Sequence, residues 1–126
     1  MSSQQVKVTN VKPPNAGQSV TVVELNLPDG LDSTVFDRLN EDLQGVFDQA
    51  ANGNSHRWVL DLSNVSYLGS AALGLMVNIR HRVRTQQGKL ALCNLSPRLS
   101  QIFKTCCLEK LFTITRSRDE ALRAVR

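Results

Sequence analysis

The sequence predicts an α/β fold: a mixed β-sheet led by an N-terminal hairpin and completed by parallel strands that helical crossovers join. Two features predict it. Apolar residues near the start of the chain alternate as on strands, and from Val35 onward helical and strand spacing take turns to the end. Strands that alternate with helices are most economically parallel, each joined to the next by a right-handed crossover. The 126 residues suit one domain spanning 1–126, and 41% apolar against 21% charged side chains argue against an intrinsically disordered chain.

Val6, Val8 and Val11 mark a ragged edge strand, although residues 1–5 are polar and expected to fray. Pro13-Pro14-Asn15-Ala16-Gly17 removes backbone donors and supplies turn residues, so it reads as the hairpin loop. Val20 to Leu27 follows as a strand, with Val23, Leu25 and Leu27 on one face and Val22, Glu24 and Asn26 on the other. A helix then places Phe36, Leu39, Leu43, Val46, Phe47 and Ala50 inside and Asp37, Glu41, Asp42 and Asp48 outside, ending at Asn52-Gly53-Asn54. Trp58 to Leu62 is a short strand expected inside the sheet. A second helix runs from Ser70 to Gly88 with Ala72, Leu75, Met76, Ile79 and Val83 buried. Lys89 to Leu95 is the next strand, and Ser96-Pro97 supplies an N-cap and a first-turn proline for a helix whose inner face is Leu99, Ile102, Phe103 and Cys106. Leu111 to Ile114 forms a last strand. Ser117 to Glu120 has capping-box spacing ahead of a short helix with Ala121, Leu122 and Val125 inside.

Charge divides unevenly along the chain. Residues 1–63 hold 4 basic and 8 acidic side chains, net −4, and residues 64–126 hold 11 and 3, net +8. A basic half can mark a nucleic-acid surface. Here Arg80, Arg82 and Arg84 alternate on a helix and fan around it, with no interleaved aromatics, so a solvated face without direct nucleic-acid binding is expected. The longest nearly apolar run, Ala71 to Val77, falls far short of the ~20 residues of a membrane span, and no charged-then-apolar leader opens the chain. The three cysteines include the adjacent Cys106 and Cys107, which does not resemble a disulfide framework and suits a reducing cytoplasm.

Motifs for chemistry are scarce. There is no phosphate loop with its lysine, no paired-glycine dinucleotide turn and no cysteine or histidine cluster at zinc spacing, so neither catalysis nor a cofactor or metal is expected. His56 and His81 sit among polar neighbours and read as solvated. Cys106 and Cys107 lack the two-residue spacer of a redox pair and read as structural.

Asn64-Val65-Ser66-Tyr67-Leu68-Gly69-Ser70-Ala71-Ala72-Leu73-Gly74 follows a strand and runs into an apolar helix. With it the chain resembles the STAS domain, the fold of bacterial anti-sigma-factor antagonists, from about Val6 to Val125. The resemblance is strongest in Val59 to Leu68, in Gly88 to Pro97 and in Leu108 to Phe112. In that family a strand leads into Asp-Ser-Ser/Thr-Gly, and the first hydroxyl after the aspartate is phosphorylated by a partner that is both anti-sigma factor and serine kinase. Ser70 occupies that position, with Gly69 in place of the aspartate, Ala71 in place of the second hydroxyl residue and Ala72 in place of the glycine. Gly30-Leu31-Asp32 resembles the family's Gly-x-Leu-Asp turn, which makes Asp32 the acid expected near the phosphoserine. Cys107 stands where the family usually has glycine, at the end of the third helix.

The resemblance implies a non-enzymatic, cytoplasmic binding protein, monomer or weak dimer, that sequesters an anti-sigma kinase; ATP and magnesium belong to that partner. Its contact surface would include Asp32, Tyr67, Leu68, Gly69, Ser70 and Ala71. A constitutive adaptor in a signalling scaffold or a lipid-transport complex, without phosphorylation, is the alternative. Independently of the family, Ser70 reads as a helix N-cap whose hydroxyl accepts a backbone hydrogen bond, with or without a regulatory phosphate. Such a site tolerates a phosphate because a helix N-terminus favours negative charge.

Overall fold

The computed structural model describes residues 6–11, 20–26, 33–52, 56–65 and 67–125. The chain order is β1 (Val6–Val11), β2 (Val20–Leu25), α1 (Ser33–Asn52), β3 (Arg57–Asp61), α2 (Ser70–Thr85), β4 (Lys89–Cys93), α3 (Pro97–Thr105), β5 (Thr113–Ile114) and α4 (Arg118–Ala124). The sheet runs β1-β2-β3-β4-β5, with β1 antiparallel to β2 and every later pair parallel. This is the predicted mixed α/β sheet, with β3 at its centre. The loop expected at 13–17, Leu27 and the fraying expected of 1–5 lie outside the described residues.

Strands added steadily in one direction put successive crossover helices on the same face. That face carries the large side chains: Val23, Leu25, Trp58, Leu60 and Leu92 pack with Leu39, Leu43 and Phe47 of α1, Leu75, Met76, Ile79 and Val83 of α2, and Leu99 and Phe103 of α3. Trp58 meets Phe47 with ring centroids 4.5 Å apart, and Arg82 lies over Phe47 while donating to the Gln44 side chain at 2.7 Å. The other face is thinner. Among the described residues, Val20, Val22, Val59, Ala91 and Cys93 cluster with Ala121 and Leu122 of α4 and Val125 at its C-cap, and one helix of 7 residues suits small strand side chains. Val22 is therefore as deeply buried as Val23, because α4 covers the face on which the sequence placed it with polar neighbours.

Several boundaries differ from expectation. β2 stops at Leu25, with Asn26 exposed. β4 stops at Cys93 because Asn94 turns into the left-handed region (φ 61), a conformation asparagine tolerates better than most residues. The last strand shrinks to Thr113–Ile114, both exposed, since the amide of Leu111 closes a turn on the carbonyl of Leu108. Phe112 is nevertheless buried edge-on against Phe103, centroids 5.6 Å apart. Helix α2 ends three residues before Gly88. Gln87 takes the left-handed position (φ 58), and Gly88 closes the turn by donating to the Val83 carbonyl at 2.8 Å. Gly88 is required for another reason: a Cβ there would stand 2.2 Å from the His56 carbonyl oxygen. His81 is exposed as expected, but His56 is half-buried and its Nδ1 has no hydrogen-bond partner among the described residues.

The caps of the two short helices match the sequence. Ser96 accepts from the Leu99 amide and Ser117 from the Glu120 amide, each at 3.2 Å. Glu120 reaches back at 3.1 Å to the amide of Arg116, one residue before the position a capping box would predict.

At the carboxyl edge of the parallel strands, Asp61 forms a buried polar junction. Its side chain is 4% exposed and accepts from Arg118 at 2.8 Å, from the Ser63 amide at 3.0 Å and from Asn94 Nδ2 at 3.2 Å. Arg118 also reaches Glu24 at 2.5 Å, so one guanidinium ties β2, β3 and α4. Burial alone would raise the Asp61 pKa, but the Arg118, Ser63 and Asn94 bonds outweigh it and hold the carboxyl below its ordinary value of 3.8. Its stabilising contribution is therefore present above that value and is lost as pH falls through the lower folded one.

Arg118→Met should cost about 1–3 kcal/mol at neutral pH, less than a fully buried pair because Arg118 is 35% exposed. Urea unfolding checks this: the gap from wild type should be full near pH 7 and narrow as pH falls below 3.8 and through the lowered folded value, where Asp61 takes up its proton in both chains.

Candidate functional site

The loop after β3 begins at the Asp61 junction, and Leu62, Val65 and Leu68 bury their side chains to seat it. The Val65 amide donates to the Leu62 carbonyl at 3.0 Å, which closes the first turn of that loop. Between the buried anchors the chain presents Tyr67, 39% exposed, and then Gly69 and Ser70 at the start of α2.

The N-cap position of α2 belongs to Gly69, not to Ser70. Gly69 has extended geometry (φ −81, ψ 179), its carbonyl accepts from the Leu73 amide at 2.9 Å, and no side chain among the described residues caps the helix. Ser70 is the first helical residue, exposed, and its hydroxyl makes no hydrogen bond to another described residue. The capping role expected of Ser70 is thereby corrected. The backbone amides of residues 70, 71 and 72 have no acceptor within the helix, and the first turn holds no acidic side chain to offset the positive end of the dipole. An aspartate before the serine, as the STAS resemblance would have it, would stand at the N-cap. Here glycine fills that position in a conformation open to any residue, and a Cβ would meet only Tyr67 Cε2 at 3.7 Å.

Alongside runs an apolar groove of about 340 Å³, lined by Tyr67, Leu68, Gly69, Ser70 and Leu73 on one wall and by Gln101, Ile102, Thr105 and Cys106 of α3 and its end on the other. Arg98, one turn before Gln101, lies 5.1 Å over the Tyr67 ring. Four predicted contact residues, Tyr67, Leu68, Gly69 and Ser70, therefore come together. Ala71 is the second residue of α2; Asp32 lies outside the described residues.

Sequence spacing missed the α3 wall. Ile102 and Cys106 are expected on the inner face with Leu99 and Phe103, but only Leu99 and Phe103 are fully buried, and Ile102 packs at the edge of that core. Cys106 is exposed as the C-cap, and Ile102 is half-buried. The available signal was width: two i, i+4 pairs side by side make an apolar stripe broader than one 9-residue helix packing on a sheet needs. Cys107 is exposed as well and takes the left-handed turn position usually given to glycine (φ 58), its amide donating to Lys104 and that of Leu108 to Phe103. The turn thus keeps its glycine-type shape at a cost of roughly 1–2 kcal/mol for a side chain. All three cysteines are free thiols; burial pushes Cys93 up to about 12, aided by the nearby Asp61 carboxylate.

Comparison with known proteins agrees with this architecture. A family model for the STAS domain matches residues 13–121. BtrV of Bordetella bronchiseptica, which carries the name of an anti-sigma factor antagonist, is 30% identical over 84 residues, 67% of this chain and 72% of that protein. The structure of an anti-sigma-factor antagonist (STAS) domain protein from Planctomyces limnophilus superposes with a TM-score of 0.71 at 25% identity, over 95% of this chain and 97% of the other. Bacillus SpoIIAA in its phosphorylated form shares the fold, with a TM-score of 0.64 at 19% identity over 96% and 99% of the two chains.

Because the Ser70 hydroxyl caps nothing, Ser70→Ala should change unfolding free energy by less than about 0.5 kcal/mol. Gly69→Asp should stabilise by a few tenths to about 1 kcal/mol, by supplying the missing cap acceptor and a charge the dipole favours. Denaturant midpoints measure both; a loss near 1 kcal/mol in Ser70→Ala would restore the capping role.

Proposed function

The chain belongs to the STAS domain family, and from that membership we propose that it is an anti-sigma-factor antagonist. It binds an anti-sigma factor through the groove between the start of α2 and α3, and phosphorylation of Ser70 by that same partner, acting as a serine kinase, releases it. ATP and magnesium belong to the kinase; this chain contributes the acceptor hydroxyl and the binding surface.

The observation that carries this reading is the placement of Ser70: an exposed hydroxyl with no hydrogen bond to another described residue, on the lip of an apolar groove. A hydroxyl committed to a cap would have to leave its hydrogen bond to react. This one is presented to a kinase without unfolding the helix. After transfer, the phosphate would add a charge of about −1.5 to −2 where unpaired amides and the helix dipole can hold it, so the fold survives. The groove is different: a partner that buries Tyr67, Leu73 and Ile102 against itself would have to bury that charge too, or leave a gap. The desolvation cost falls on the complex and not on the free protein. Only about 1.4 kcal/mol of it weakens binding tenfold. That a protein of the same fold has been solved in a phosphorylated form is consistent with this route. Asp32 is retained in the proposal as the acid near the phosphoserine, and Ala71 as a first-turn contact.

The test is calorimetric titration of the partner co-purified from the native cell against wild type, Ser70→Ala and Ser70→Glu. Ser70→Ala should bind as wild type does, and Ser70→Glu should bind at least about tenfold more weakly while melting no lower than wild type. Equal binding of all three would favour the constitutive adaptor, in which Ser70 is only a surface residue.

A further inference from the structure

A second hollow, of about 250 Å³, lies along the C-terminal half of α2 and shares no lining residue with the groove. Its wall is Arg80, Val83, Arg84, Gly88, Leu90, Leu111 and Thr113. Residues 80–84 stand about 15–20 Å along the helix from Ser70. The two arginines are one turn apart and line the same space, whereas Arg82 between them turns away to Gln44 and Phe47 of α1. The expected fan of three arginines is thus a pair over a hollow and one structural residue.

The pair is unbalanced. Arg80 donates through Nε to the Leu111 carbonyl at 2.5 Å. That bond fixes the guanidinium plane and leaves the Nη donors without a partner among the described residues. Neither Arg80 nor Arg84 has a carboxylate partner among the described residues. Like charges one turn apart cost a helix a few tenths of a kcal/mol. The helix dipole accounts for a cation in the last turn, where Arg84 sits, but not for its pairing with Arg80. The apolar residues of the lining are buried Val83, half-buried Leu90 and Leu111 at 40% exposure, and Thr113 completes the wall.

We propose that this hollow is a binding site for a small phosphate monoester, with the dianionic phosphoryl group held by Arg80 and Arg84 and a short apolar body resting on Val83, Leu90 and Leu111. Two guanidinium groups match a dianion in charge and a phosphoryl group in donor geometry, whereas a carboxylate neutralises only one of them. The volume is below that of a drug-sized ligand pocket, which limits the organic part to about one ring. The site stands independently of the partner-switching role, since it uses none of the groove residues.

Phenyl phosphate is the probe, titrated into the isotopically labelled full chain at constant ionic strength and followed by amide chemical shifts. The affected amides should be those of Gly88, Leu90 and Thr113, and phenyl phosphate should bind at least about fivefold tighter than benzoate or inorganic phosphate. Arg84→Gln and Arg80→Gln should each weaken it by about fivefold or more, while Arg38→Gln on the exposed side of α1 removes the same charge without effect. The Arg84 side chain makes no hydrogen bond to another described residue, so its variant tests the site even if Arg80→Gln disturbs the Leu111 turn. No saturable binding, benzoate binding as tightly as phenyl phosphate, or equal losses in Arg38→Gln and Arg84→Gln would each overturn the proposal.

Discussion

A carboxylate with almost no water around it, Asp61, sets the terms for the site. It ends the central strand, and its two oxygens are shared among the guanidinium of Arg118, the amide of Ser63 and the side chain of Asn94. An ionised carboxylate in that position is tolerable only if each oxygen is met, because an unpaired buried charge costs several kcal/mol. The partners come from three places in the chain: the loop toward α2, the residue after β4, and the first turn of α4. One constraint therefore fixes where the next loop departs, where β4 turns left-handed and how α4 seats on the thinner face.

The site inherits its geometry from that junction. The chain leaves Asp61, buries Leu62, Val65 and Leu68 in succession, and is left with Tyr67 and Ser70 facing outward at the head of α2. Helix α3 begins beyond Asn94 on the same side of the sheet, so its Ile102 and Cys106 form the opposite wall. Open α/β sheets place binding sites beyond the carboxyl ends of their parallel strands, where such loops converge. The groove has that location here, and the Ser70 hydroxyl on its lip makes no hydrogen bond to another described residue.

Much of this was legible in the sequence wherever one strong local signal decided the outcome. The short strand at Trp58 to Leu62, the caps at Ser96 and Ser117 and the helical spacing of Leu75, Met76, Ile79 and Val83 each depend on neighbours a few residues away, and the structure agrees with them to within a residue. What escaped depended on distant contacts. Glu24, Asp61 and Arg118 are far apart in sequence and show no motif, so their junction emerges only when β2, β3 and α4 meet. Ile102 and Cys106 look like core residues until the packing of Leu99 and Phe103 has filled the space beneath α3. Ser70 was one position off as a cap because a glycine, which signals no cap by its side chain, filled the N-cap itself.

The central claim is that an uncommitted hydroxyl at the head of α2 is the switch between two binding states. Incubating the wild-type chain with its co-purified partner, Mg²⁺ and ATP, and then weighing the intact protein and mapping its peptides, tests it most directly. The account predicts the added mass of a single phosphate on Ser70, none in Ser70→Ala, and release of the modified chain from the partner. An unmodified chain that stays bound under the same conditions, or a phosphate on another residue, would contradict it.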